Sequence, residues 1–583
     1  MHEHPPKPRF ALSVGIIGHR PNRLPDDAIA KITTQMRLAL DAIGRAADAA
    51  HQQHADCFSP ESTKLTVVTS LAEGADRIGA KEALQLGLDL VVPLPFRVHD
   101  YKTDFQGPES EQEFGQLLEA ATTVLEIAGD RTNEGSAYEH AAQTVMDACD
   151  LLIAVWDGKA SAGRGGTTAL LYEAAQEGMP VIWIDTVSDG PLRLYWGEPG
   201  SRRTEQAYFA EEFRAKSGDD VLATIAIVVE QLVRPPRAPS EQLALQDFLN
   251  RPFRRLNVNA AFPLLMALLN VRSLRSSDFI RTHPDDAAAN MSRDEIAPRS
   301  LVDAYTWADE CAIFFSQAFR GAFVLNFLGS ALVTILVAFS FHPPWSVLEI
   351  VVVALLVYNT SRGRKGRWHK LWIDTREVAE RLRACMLIYA MGSRPALPFG
   401  DVSAWTTWYV RAQVREAGLR NALLDHGGLT AGCLSLESFL EGQKAYHQAT
   451  AARFSALHER LASIGKWLFF FSLAISLTTL VVQIFRADAI SPSAQRWLFV
   501  LNAGLPALGV ASYGMRVIGD FEGAAARSSR MVMQLEALIG RLKASPCQFD
   551  TLRGSCHRAA DVLQGDVASW RLIVESRELE MPG

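Results

Sequence analysis

AYEHAAQTVMDACDLLIAVWDG, residues 137–158, followed by GRGGTT at 163–168, decides the fold. A helix-period pattern over Ala137–Ala148 runs into Leu151–Val155, an unbroken apolar run, and a glycine-rich turn then opens a second helical pattern, Thr168–Glu177. A run without polar alternation suits a strand buried on both faces, as in a parallel sheet covered by helices. The alternation extends outward. Leu12–Ile17, Leu65–Thr69, Leu88–Leu94 and Val181–Asp185 read as further strands, with Asp26–Ala50, Ala75–Leu86 and Glu109–Ala121 as the helices between them. Elements of these lengths predict an α/β, doubly wound parallel sheet.

The whole chain is larger than this unit. Its 583 residues imply about four units at roughly 150 residues each. The 58 Lys+Arg against 65 Asp+Glu give a net charge of −7, which excludes a strongly basic nucleic-acid binder and an acidic disordered tail. Nucleic acid is therefore disfavoured as a partner. Apolar residues make up 48%, but their distribution is uneven: the α/β pattern closes before RPPRAP (234–239), and long apolar runs lie beyond. Seven scattered Cys without a CxxC pair predict reduced, buried thiols, and no Cys/His spacing supports a metal. MHEHPPKPRF lacks a long apolar segment, so no cleavable signal is expected and the first domain is placed in the cytoplasm.

Gly321–Phe341 is 21 residues without a charge, about 31 Å as a helix and enough to cross a bilayer. Ser346–Ser361 follows the turn HPPW (342–345), with Glu349 near its start. Trp467–Phe485 and Trp497–Met515, joined by RADAISPSAQR (486–496), make a second pair. The expectation is an α-helical membrane region with two transmembrane hairpins. Val258–Val271 is too short to span, carries Pro263, and reads as a packed or interfacial helix. Arg362, Arg364, Lys365, Arg367 and Lys370 crowd the exit of the second span, and Arg320 precedes the first. Positive charge inside then predicts a multi-pass protein of the cell inner membrane with both termini cytoplasmic, although Arg486 and Arg496 fall in the outer loop of the second pair, which Lys466 and Arg516 flank inside. A weak internal repeat accompanies the pairs. A helix rich in Arg and Glu follows each, at 369–389 and 519–542, and reads either as a solvated face or as a cytosolic assembly. The domain reading is 1–235 for the Rossmann-like sheet, 236–320 for a helical linker, 321–395 for the first hairpin with its helix, 396–465 for a cytosolic helical segment, and 466–583 for the second hairpin and C-terminal helices.

Ligands of open α/β sheets bind outside the carboxyl ends of the strands, and the unusual residues cluster there. Gly18, His19 and Arg20 end the first strand; Arg20 could grip a phosphate. Ser70, Leu71, Ala72, Glu73, Gly74 and Asp76 end the second and open a helix whose N–H groups suit an anion. Pro95 and Phe96 end the third, with Phe96 as a base-stacking ring. Asp157 ends the fourth, and Arg164, Gly165, Gly166 and Thr167 could cradle and neutralise a phosphate. Each loop alone is also explained as a tight turn; four on one rim point to a nucleotide-like ligand.

These loops carry a resemblance. VTSLAEGADRIGAKEAL (68–84) resembles the SGLARGID-type segment of the Smf/DprA proteins, and GRGGTT resembles the PGGxGT segment of the Lonely Guy (LOG) proteins. With GHR after strand one, residues 10–187 resemble the SLOG superfamily that unites both. The resemblance implies a nucleotide-derived ligand, ADP-ribose-like among others. A SLOG-like domain joined to paired membrane helices is also similar to prokaryotic conflict systems, antiphage defence among them, that couple such sensors to SLATT-type modules. The first hairpin with Trp372–Arg383 fits that pattern best. LOG phosphoribohydrolases carry Glu directly after the glycine turn; Ala169 and Leu170 stand here, with Glu173 a turn later. That departure favours binding over hydrolysis and leaves the catalytic residues unassigned, with Glu73, Glu139, Asp157 and Glu173 as substitutes for the missing acid.

In the spans, Asn326, Ser330 and Thr334 form one polar stripe, and Ser472, Ser476, Thr479 and Gln483 another. Small polar residues glue helices together in lipid; in a homo-oligomer they could instead line a conduit. Three functions compete: a ligand-controlled membrane effector, a membrane-anchored nucleotide N-glycosidase, and a membrane scaffold with a non-catalytic assembly domain.

Overall fold

The computed structural model describes residues 3–159, 166–187, 190–195, 219–257, 259–291, 297–339, 343–393, 404–485 and 491–575. Eight strands form one sheet: β1 (Ala11–Gly18), β2 (Lys64–Val68), β3 (Asp89–Leu94), β4 (Thr123–Glu126), β5 (Leu151–Trp156), β6 (Val181–Asp185), β7 (Arg193–Tyr195) and β8 (Ala422–Leu423). Their order is β7-β6-β5-β1-β2-β3-β4-β8. Neighbours are parallel except β6 and β7. On β1, Val14 sits opposite Val67 of β2 and Leu151 of β5. Leu12, Val14 and Ile16 are fully buried, as the unbroken apolar runs require. From β1 the chain steps outward to β4, then returns to place β5 on the other side of β1.

The helices between strands are α1 (Ile29–Gln53), α2 (Ala75–Gln85), α3 (Val98–Tyr101), α4 (Pro108–Glu119), α5 (Glu134–Ala148) and α6 (Thr167–Glu177). Then come α7 (Asp219–Val233), α8 (Pro239–Leu249), α9 (Ala261–Leu268), α10 (Pro284–Met291), α11 (Arg299–Ala338) and α12 (Pro343–Lys365). The last are α13 (Trp368–Tyr389), α14 (Trp405–Ala417), α15 (His426–Phe485), α16 (Pro492–Gly519), α17 (Phe521–Ala544) and α18 (Phe549–Glu575). The packed helix expected at 258–271 is α9, which buries Phe262, Pro263, Leu265 and Met266.

The sheet is completed from far along the chain. β8 pairs with β4, matching Leu125 to Ala422. Just before it, Arg415 on α14 meets Asp150 at the base of β5, Nε to Oδ1 2.8 Å, both side chains almost fully buried. The second oxygen of Asp150 accepts the Ser13 amide of β1 at 3.0 Å. Trp408 donates to the Val233 carbonyl at 2.8 Å. Residues 405–423 therefore share a core with the N-terminal strands.

Four helical stretches, beginning in α11, α12, α15 and α16, are long and apolar enough to cross a membrane. α11 packs against α12, α13 and α16, and α15 against α16 and α17. At the α11–α16 crossing a Cβ on Gly514 would run into the Phe327 ring, so the glycine permits the close approach. The 60 residues of α15 would reach about 90 Å at 1.5 Å per residue, running from the sheet edge at β8 to the third apolar stretch. The turn at HPPW and the outer loop expected at 486–496 fall partly outside the described residues.

The weak sequence repeat has a structural echo. α12 ends in Gly366 and Arg367, the latter at φ 47°, before buried Trp368. α16 ends in Gly519 and Asp520, also at φ 47°, before buried Phe521. Each apolar pair thus leaves through a glycine, a left-handed residue and a buried aromatic. The helix after the first junction is not a solvated face: Asp374, Glu377 and Glu380 of α13 are buried. Arg376 and Arg381 pair with Glu380 and Glu377 at 2.5 and 2.7 Å. The expectation of seven reduced cysteines is corrected for two. Cys433 and Cys547 form a disulfide with Cα atoms 6.5 Å apart, inside the range a bridge needs; 114 residues of separation leave no motif in the sequence. The other five are buried and stand outside this bridge.

Candidate ligand-binding site

A crevice of about 430 Å³ opens where the strand order reverses, between the carboxyl ends of β1 and β5. Its volume is in the range of small-molecule sites. Eight of the residues singled out in the sequence line it: Gly18, Arg20, Ser70, Ala72, Asp76, Pro95, Gly166 and Thr167. Arg20 and Arg23 stand exposed at its mouth. The guanidinium of Arg20 lies 5.1 Å over the Tyr138 ring, and the Tyr138 hydroxyl donates to Asp104. On the opposite wall α6 begins at Thr167 with Gly166 as its cap and no side chain capping it. Two arginines, a phenol ring and a helix N-terminus converge on one concavity, a set suited to phosphate and a flat apolar group.

Asp76 reaches into the crevice from the first turn of α2. Burial pushes its carboxyl up to about 6, even though the Ala72 amide and the nearby Arg20 and Arg77 favour the charge. A carboxyl poised there can hold or release a proton near neutral pH.

Several expectations are corrected. Phe96 is fully buried, with the Arg131 guanidinium 3.8 Å over its ring and Tyr138 at its edge, so it cannot stack a base. Tyr138 is the aromatic that lines the crevice with Tyr101; its signal was only a tyrosine near the start of a helical pattern. Leu71 is also fully buried, at φ 56°. The α2 terminus is partly spent on the protein itself. The Ala75 amide donates to the His19 carbonyl at 3.2 Å, and the Ala72 amide to Asp76 Oδ2 at 3.3 Å. Gly18 packs rather than yields space for ligand: a Cβ there would sit 2.5 Å from that of Ala75. Gly74, at φ 100°, lets α2 press on the first loop, where a Cβ would meet the His19 carbonyl at 2.6 Å. Glu73 turns away to accept from the Ser110 hydroxyl and from the Gln106 amide, the latter at 3.0 Å.

His19 and Asp157 act as a clasp across the switch point. His19 Nε2 lies 3.1 Å from the Asp157 amide nitrogen and 3.0 Å from its Oδ1. Burial opposes ionisation of Asp157, but the Lys159 amide and His19 outweigh it and hold the carboxyl below its ordinary value. Glu139 is exposed on α5, and neither it nor Glu173 lines the crevice. Arg164 and Gly165 lie outside the described residues. No group of metal-ligating side chains occurs among the described residues.

In the spans, Asn326 is buried and ties α11 to α12. It donates to Thr360 at 3.0 Å and accepts from Asn359 at 2.8 Å. Thr334 bonds back to the Ser330 carbonyl at 3.2 Å. Ser476 bonds Asn502 of α16 at 3.1 Å, Thr479 bonds the Ile475 carbonyl, Ser472 is half-buried, and Gln483 is exposed.

No family model matches the chain, and no curated protein matches it either.

Proposed function

We propose that the crevice binds a nucleotide-derived anion and that its occupancy controls the membrane helices. One observation carries this reading. α5 supplies Tyr138 to the crevice, and from the same helix His140 and Asp147 grip Asp550 and Arg553 of α18. At its far end α18 meets α13: Arg571 pairs with Asp374 at 3.2 Å, and Trp570 lies edge-on to Trp372 at 5.2 Å. α13 runs along α11, the central apolar helix. A ligand that shifts α5 has a continuous packed route to the membrane, and it biases the bundle only if it prefers one arrangement over another. The strand order with its switch point supports the Rossmann-like and SLOG-like reading. The glycine and aromatic junctions support a SLATT-like module used twice, in an inner-membrane homo-oligomer with cytoplasmic termini. The buried Asn326 favours polar packing in the spans; a pore would draw on Ser476 and Gln483.

A second reading has its own support. Asp76 lines the crevice with its carboxyl pushed up to about 6 by burial, and such a group could serve as the general acid of N-glycosidic cleavage in place of the LOG glutamate.

The test uses the full chain, because a fragment ending at 235 would leave β4 without β8 and Asp150 without Arg415. Thermal shift with NAD, ADP-ribose, AMP and cyclic oligonucleotides reports binding, and mass spectrometry reports the fate of each. A compound at 100 times its Kd adds about 2.7 kcal/mol. The expected result is a shift with the compound intact, abolished in folded Arg20→Ala and Gly166→Val. A cleaved compound sinks the sensor and favours Asp76 chemistry. No shift with any compound overturns both readings.

A further inference from the structure

A second cavity, about 1070 Å³, lies far from the crevice, between the segment after α8 and the end of α12. α12 carries its apolar run to Tyr358 and ends in Arg362 and Lys365, which line the cavity. Arg251, Arg254 and Arg255 line it from the other side. Two further basic residues on its wall are neutralised, Arg281 by Glu310 and Arg367 by Asp247. The other five have no carboxylate within ion-pair distance among the described residues, and the buried Nε of Arg251 has no hydrogen-bond partner. Five like charges facing one space repel one another, and they persist together where an anion occupies it.

The position says which anion. The cavity sits at the level where α12 leaves its apolar stretch, which is the headgroup zone for a helix that crosses a bilayer. Beside it, Leu256 and Ile280 pair in an isolated bridge and stand exposed, 69% and 49%, with Phe279 next to them. Apolar side chains turned outward next to a basic hollow match the acyl boundary and the phosphate of one lipid.

We propose that this cavity binds the phosphate of an anionic phospholipid headgroup. Bound there, the lipid would bridge the 251–256 segment to the end of α12 and fix the height of the cytosolic helices against the bilayer.

The test is native mass spectrometry of the full chain released from vesicles of phosphatidylcholine, with and without phosphatidylglycerol. Arg254, Arg255 and Arg362 are exposed and make no ion pair among the described residues; Arg362 also lies 5.5 Å over the Trp368 ring, so circular dichroism and thermal melting of R254Q/R255Q/R362Q check that the fold is retained. R530Q/R541Q/R558Q is the charge-matched control. At about fivefold per basic residue, the triple variant loses about a hundredfold in retention of phosphatidylglycerol. The control retains it like the parent. Equal loss in both variants, or no preference for phosphatidylglycerol in the parent, overturns the proposal. Displacement of the lipid by inorganic phosphate at equal concentration assigns the cavity to a free anion and overturns the lipid source.

Discussion

The sheet unit and the membrane helices draw on the same apolar residues and bury them in opposite ways. In β1 and β5 the apolar side chains are almost entirely inside the protein. Among the four apolar stretches only that of α11 is half-buried; in α15 none of the stretch is, and the α12 and α16 stretches are 6% and 28% buried. Trp467, Phe469, Phe470 and Phe471 of α15 all stand exposed. Apolar character therefore distinguishes nothing by itself; what covers the side chains does. The sheet is covered by its own chain, including Arg415, 265 residues from its partner Asp150, whereas three of the four stretches are left largely uncovered by it.

The comparison breaks most sharply at Arg415. If residues 405–423 belong to the sheet unit, Arg415→Ala leaves the buried Asp150 carboxylate without its guanidinium, at a cost of about 3–5 kcal/mol. Chemical denaturation of the full chain reads this, and a loss under 1 kcal/mol would detach the segment from the core. Asp76 gives a smaller effect of opposite sign. Its carboxyl lies near 6 against an ordinary 3.8, so the folded chain holds a proton that the unfolded chain has released between those values. Stability falls as pH rises across that window and stays low above it. Asp76→Asn flattens the slope between pH 4 and 6 and raises stability at pH 7 by about 2–3 kcal/mol; an unchanged pH profile would remove Asp76 from the crevice chemistry. The smallest effect is in the membrane. Asn326→Ala loses two bonds to α12 and costs about 0.6–1.7 kcal/mol in detergent unfolding, while Gln483→Ala on exposed α15 costs nothing measurable. Equal losses at the two positions would erase the contrast between a protein-covered span and lipid-covered ones.

The long apolar strands and the four spans are legible in the sequence because burial on both faces and immersion in lipid each leave an unbroken run. β4, β7 and β8 are not, being two to four residues long, with β7 and β8 at the sheet edges and β4 next to β8, and stabilised by neighbours rather than by their own pattern. The crevice is legible as a rim of loops because topology puts strand ends together. Its inventory is only partly so. Gly18 and Gly74 look like ligand glycines but serve packing, since a close helix–loop contact and a ligand approach demand the same residue. Phe96 and Tyr138 are both aromatics near the rim, and only the tertiary structure decides which is outside. The basic cavity draws on residues over 100 positions apart, 251–255 and 362–365, so no local pattern announces it.

The most direct measurement of the central claim is dye efflux from vesicles holding the full chain, with ADP-ribose added on the side of the sheet domain. Coupling through α5 and α18 predicts that efflux changes on addition, that Arg20→Ala abolishes the response, and that Arg553→Ala weakens it while ADP-ribose still binds. ADP-ribose bound by the parent protein with efflux unaltered would contradict the account.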